Sequence, residues 1–137
     1  MVLQVGVRAL QRRRDQLRGS AEAINPAEDM ATVCLLLFYA AECGLKERLL
    51  ARRGLRDSSG IEPTHDLRRL AKELRLPRFV GEHLDRLQSC RLHPHVRGSV
   101  PMADLHQAWR YGAKLDAADE KHAHEALRTL ITWCEQD

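Results

Sequence analysis

Aromatic residues are scarce in this sequence, which holds two Trp, two Tyr and two Phe among 137 residues. Surfaces that bind single-stranded nucleic acid usually stack bases on several exposed aromatic side chains, so this mode of binding is disfavoured. Alternating runs of β-branched residues are absent as well. The good helix formers Leu, Ala, Arg and Glu dominate instead, and the sequence therefore predicts helices and no strands.

The sequence also lacks the usual signs of export, membrane insertion and metal binding. Its first ten residues are too short and too soon charged for a signal peptide, and the longest apolar run, 33–41, is too short to span a bilayer. The four cysteines form no CxxC pair, and Cys90, His93 and His95 lack a fourth ligand. We therefore expect a cytoplasmic protein with no disulfide, no metal and no cofactor.

The size and composition of the chain are those of one ordinary globular domain. Apolar residues make up 44% and charged residues 30% of the sequence, and the net charge is +3. We predict an all-α fold, a bundle of four main helices plus short ones. Residues 1–19 would form a basic N-terminal helix, and residues 20–135 the core bundle.

Capping and breaking residues predict where the helices begin and end. The first helix, 2–18, would stop at Gly19. Asn25 would cap a long central helix that ends at Gly54, and Pro77 would separate a third helix from a fourth. The fourth helix would reach Cys90. After a loop at 93–101, a short helix would precede a last helix, 117–135, which Asp116 would cap.

Charged residues beside the apolar run of the central helix are candidates for ligand binding. Glu42 and Lys46 lie one helical turn apart, which also describes an ordinary surface ion pair. His65 lies at the start of the third helix, where its proton exchanges near neutral pH. Arg110 and Tyr111 precede the last helix, where a guanidinium could bind a phosphate or carboxylate, or pair with an internal acid.

Arginines on the first helix suggest a second surface. Arg12, Arg13 and Arg14 are consecutive, and such a cluster either contacts phosphates or forms a solvated helix face. The first alternative predicts salt-sensitive binding of nucleic acid, and the second predicts no function.

Three segments, taken in order, resemble the HEPN superfamily. They are LLLFYAAECGLKERLL at 35–50, THDLRRLAKELRLP at 64–77 and WRYGAKLDAADEKHAHEALRTLITW at 109–133. The resemblance implies a helical bundle. It also implies either a metal-independent endoribonuclease that dimerises, or a non-catalytic subunit that binds nucleotides or protein partners.

The catalytic HEPN pattern is an Arg followed, after four to six residues, by a His near the final helices. Arg110 has no such His, so the non-catalytic group is favoured. The resemblance then implies an accessory subunit of a prokaryotic defence or toxin–antitoxin system, working as a homodimer or with a larger protein. One alternative is a ribonuclease that uses Arg86 and His93, and another is an adaptor that docks through its basic N-terminal helix.

Overall fold

The computed structural model describes residues 4–93 and 97–136, and within them the fold is mostly helical. The predicted all-α class is thereby confirmed. The main elements are α1 Val7–Glu22, α2 Met30–Arg53, α3 Leu67–Leu74, α4 Arg78–Arg86, β1 Ser89–Arg91, β2 Ser99–Pro101, α5 Leu105–Arg110 and α6 Ala117–Glu135. Two short 3₁₀ helices, Ser58–Gly60 and Met102–Asp104, complete them.

The long helix α2 lies at the centre and contacts α1, α3, α5 and α6. Its apolar residues point in several directions, and Phe38 and Leu45 have no exposed surface. The helix ends as predicted at Gly54, whose φ of 64° is readily adopted only by glycine. No helix among the described residues is long and apolar enough to cross a membrane.

The start of α2 differs from the prediction. Asp29, and not Asn25, caps the helix, because its carboxylate accepts a hydrogen bond from the backbone N–H of Thr32. The side chain of Asn25 instead accepts from the N–H of Ala27 in a preceding turn. Both residue types cap helices, and the local sequence does not decide between them.

Helix α1 also differs from its prediction, since it begins at Val7 and continues past Gly19 to Glu22. Before it, Gly6 pairs with Asp57 in an isolated bridge, which holds this part of the chain extended. Beyond Gly19, the buried side chain of Ala21 packs in the core. That contact outweighs the cost of about 1 kcal/mol for glycine within a helix.

The prediction that no strands form is wrong at 89–101. β1 and β2 pair antiparallel with Cys90 opposite Val100, so α4 ends at Arg86 instead of reaching Cys90. Cys90 is fully buried in the hairpin. Strands of three residues are too short to show a recognisable alternation in the sequence. The predicted short helix is present as α5, and Asp116 caps α6 through the N–H of Asp119.

Candidate functional site

Three predicted site residues meet where α2 faces the loop before α3. One carboxylate oxygen of Glu42 lies 2.5 Å from Nδ1 of His65, and the other lies 3.2 Å from Nζ of Lys46. The Glu42 and Lys46 side chains are 13% and 17% exposed, whereas that of His65 is 60% exposed. The carboxylate is thus shielded and held between a cationic amine and an imidazole that solvent can reach.

His106 of α5 completes this group and was missed by the sequence analysis. It is only 6% exposed, and its ring centroid lies 5.1 Å from those of both Phe38 and His65. No hydrogen-bond partner is found for Nδ1 among the described residues. Burial lowers the pKa of His106, and the nearby His65 and Arg110 lower it further. These effects favour the neutral form of the ring.

Arg110 lies one helical turn after His106 and joins the site through Tyr39 of α2. Its guanidinium donates a hydrogen bond to the Tyr39 hydroxyl and lies 5.9 Å from the centre of the Tyr39 ring. The Tyr39 ring in turn lies 6.4 Å from that of His106. Tyr111 is 78% exposed and does not belong to the shielded part of the site.

We call this set of residues the polar cluster; its members are Tyr39, Glu42, Lys46, His65, His106 and Arg110. Of these, Tyr39 and His106 were not predicted. The four-residue spacing of His106 and Arg110 would have placed both on one face of α5. That spacing was available in the sequence, but nothing in the sequence shows that this face meets Glu42.

A cavity of about 280 Å³ opens beside the polar cluster and is lined by Glu42 and Lys46. Its walls are mostly apolar, with Leu10 and Ile61 among them, and Arg13 of α1 lies at its edge. The cavity brings two cations from different helices, Lys46 and Arg13, into one ligand-sized space. The acids Glu42 and Glu62 also line it.

The predicted nucleic-acid surface on α1 is wrong for Arg14. Arg12 and Arg13 are exposed, but Arg14 is 8% exposed and its guanidinium donates to the backbone carbonyl of Cys134. Arg14 lies four residues after Leu10, and the helical period therefore turns it towards the core. The Arg14 guanidinium is therefore engaged in contacts inside the fold.

The proposed ribonuclease pair lies elsewhere. Arg86 is the last residue of α4, and His93 follows β1, where its N–H donates to the carbonyl of Lys114. Both are exposed, and no hydrogen bond joins their side chains to each other or to the polar cluster in the described part of the chain. Their catalytic role stays a prediction.

Between 4 and 93 and between 97 and 136, no group of three or more His, Cys, Asp or Glu side chains is arranged to hold a metal ion. His95, the third residue of the Cys90 and His93 group, lies outside those ranges.

Comparison with protein-family models, with curated proteins and with solved structures finds no match for this chain.

Proposed function

We propose that this chain is a HEPN-like accessory subunit of a prokaryotic defence or toxin–antitoxin system, and that its polar cluster binds a phosphate group of a nucleotide or RNA. Two facts support the proposal. Three residues of the candidate site that the resemblance implied, Glu42, Lys46 and His65, are in contact in the fold, and Arg110 is connected to them through Tyr39 and His106. In addition, a buried imidazole nitrogen among them lacks a partner.

The unpartnered Nδ1 of His106 is the observation on which the proposal depends. A buried polar atom without a hydrogen bond costs about 1–3 kcal/mol, and a bound ligand or water removes that cost. The polar cluster offers N–H donors from Lys46, His65 and Arg110, and its own carboxylate, Glu42, is already paired. Two further acids lie nearby, Asp104 close to His106 and Glu62 in the wall of the cavity. Several donors around a neutralised acid suit the oxygens of a phosphate.

Isothermal titration with adenosine monophosphate, in EDTA, tests this proposal, with inorganic phosphate as a second probe. We expect Arg110→Gln and Lys46→Gln each to weaken binding about tenfold or more, because each removes a charge-assisted hydrogen bond. Arg8→Gln and Lys121→Gln, which remove exposed charges from other helices, are the matched controls. Absence of binding, or equal loss in the controls, would overturn the proposal.

Ribonuclease activity is a second candidate, and one observation favours it at this location. The rings of His65 and His106 are 5.1 Å apart, and Glu42 pairs with His65. Two imidazoles allow one to take the proton of a ribose 2′-hydroxyl as its oxygen bonds to phosphorus. The other then protonates the departing 5′-oxygen as the P–O bond breaks.

RNA cleavage by the purified protein in EDTA distinguishes the two candidates. Binding without cleavage supports the accessory subunit. Cleavage lost in His65→Gln would assign the reaction to the polar cluster, whereas cleavage lost in His93→Ala would assign it to the Arg86 and His93 pair. The accessory role also predicts a homodimer or a stable complex with a larger cytoplasmic protein, which light scattering during gel filtration measures.

A further inference from the structure

Helices α3 and α4 form a pair joined by a turn of three residues, 75–77. α3 ends at Leu74 and α4 begins at Arg78. The first turn residue, Arg75, has φ 52° and ψ 64°, a left-handed conformation that ends α3. Two short helices joined by three or four residues are the arrangement of helix-turn-helix domains, whose second helix enters the major groove of DNA.

Each helix of the pair is fixed to a different part of the core. α3 packs on α2 and α4 packs on α6. The buried residues of α4 are Val80 and Leu84, so the opposite face of this helix is left in solvent. At its first two positions, the Arg78 side chain is 93% exposed and pairs with Glu82 one turn later, and Phe79 is 61% exposed. Phe79 is one of two large hydrophobic residues exposed among the described residues.

The groove between the two helices has a basic rim. Its volume is about 470 Å³, and its floor includes Ala71 and Leu84. Four cations from α3 and the turn line it, namely Arg68, Arg69, Lys72 and Arg75, against two acids, Asp66 and Asp85. The carboxylate of Asp66 already caps α3, and Arg69 pairs with Glu62. The excess positive charge therefore lies along α3 and the turn, whereas the exposed face of α4 carries Glu82 and Asp85 as well as Arg78 and Arg86.

We infer that α3 and α4 form a second binding surface, separate from the polar cluster, and that its ligand is duplex DNA. A helix with its side chains is about 10–12 Å across, so α4 can lie in a major groove about 12 Å wide. Arg78 and Phe79 would then face base edges, where a guanidinium suits guanine and a ring suits the thymine methyl. Lys72 and Arg75 would contact the phosphate backbone. The inference does not depend on the proposed function.

Fluorescence anisotropy of the full chain with a labelled duplex of about 20 base pairs tests the inference at about 50 and 200 mM salt. We expect binding that weakens steeply with salt. The triple variant Arg68→Gln, Lys72→Gln, Arg75→Gly should weaken it at least tenfold and reduce the salt slope by about three. Glycine adopts the left-handed turn freely, so this variant keeps the fold, which its circular dichroism checks. Arg75→Lys alone should bind like the wild type.

A matched variant removes three charges from α1 instead, as Arg8→Gln, Arg12→Gln, Arg13→Gln, and should keep the salt slope. Phe79→Ala should weaken binding but leave the slope unchanged, since it removes an apolar contact and no charge. The inference is wrong if the wild type does not bind the duplex, or if the α1 variant loses as much affinity. It is also wrong if single-stranded RNA of equal length binds more tightly than the duplex.

Discussion

Arg14 of α1 and Glu47 of α2 lie buried against each other, with 3.8 Å between Nη1 of the arginine and Oε2 of the glutamate. Their side chains are 10% and 5% exposed. Arg14 also donates to the carbonyl of Cys134, and the other oxygen of Glu47 accepts from Gln11 at 2.8 Å. The pair thus connects three helices, α1, α2 and α6, through one buried ionic contact.

Removing one member of this pair should destabilise the protein strongly. Glu47→Leu leaves the buried Arg14 guanidinium with only Asp15, whose side chain is 62% exposed, as its ionic partner. We expect a loss of about 3 kcal/mol in the free energy of unfolding, measured in urea. The double variant Arg14→Met, Glu47→Leu should regain most of this loss, because an apolar pair needs no compensation. Additive losses in the double variant would contradict this account.

Gly44 allows α2 and α6 to approach each other closely. A Cβ there would lie 3.0 Å from Cβ and Sγ of Cys134 and 3.2 Å from Cδ of Arg14. We expect Gly44→Ala to lower the free energy of unfolding by about 1–3 kcal/mol through this overlap. Gly19→Ala is the matched control, since a Cβ at that helical position meets nothing within 4 Å. It should raise stability by up to about 1 kcal/mol.

The sequence predicted well those helix boundaries that depend on one residue's effect on its own turn of backbone. Gly54 ends α2, Pro77 separates α3 from α4 and Asp116 caps α6, because each acts on its own turn of chain. Contacts between distant segments were not predictable in this way. Gly19 stays helical through packing of the residues after it, and Cys90 enters a strand that needs Val100 as its partner.

The same difference between local and distant contacts applies to the candidate site. Glu42 and Lys46 were paired correctly because their spacing within one helix fixes the contact. The contact between Glu42 and His65 spans 23 residues, and the place of His106 beside them depends on how α5 docks on α2. Arg14 was assigned to the surface from its charge alone, although its position in the period of α1 already favoured the core.

Arg75 offers a test of the turn between α3 and α4. It is the one non-glycine residue with positive φ in the described chain, and this conformation costs roughly 1 kcal/mol for an L-residue. Arg75→Gly should therefore leave stability unchanged or raise it by up to about 0.5 kcal/mol, after the entropy of glycine in the unfolded chain is included. The same change within α3, Lys72→Gly, should lower stability by about 1 kcal/mol.

His106 predicts how stability depends on pH. Its pKa is lowered in the fold by burial and by the charges of His65 and Arg110, although Glu42 and Asp104 oppose this. The unfolded chain therefore binds more protons below its ordinary pKa of 6.5, and the free energy of unfolding falls as the pH drops through that value. Urea midpoints at about pH 7.5 and 5 measure this loss.

A second histidine must be separated from this effect, because burial also lowers the pKa of His124 on α6. His106→Phe removes the titrating ring next to Phe38 and should reduce the pH-dependent loss, and His124→Gln should remove the remaining histidine contribution. His122→Gln, at an exposed position, is the control. If the stability of His106→Phe depended on pH as strongly as that of the wild type, the pKa of His106 would have to be the same in the folded and the unfolded chain. That result would also remove the neutral, unpartnered imidazole on which the phosphate proposal depends.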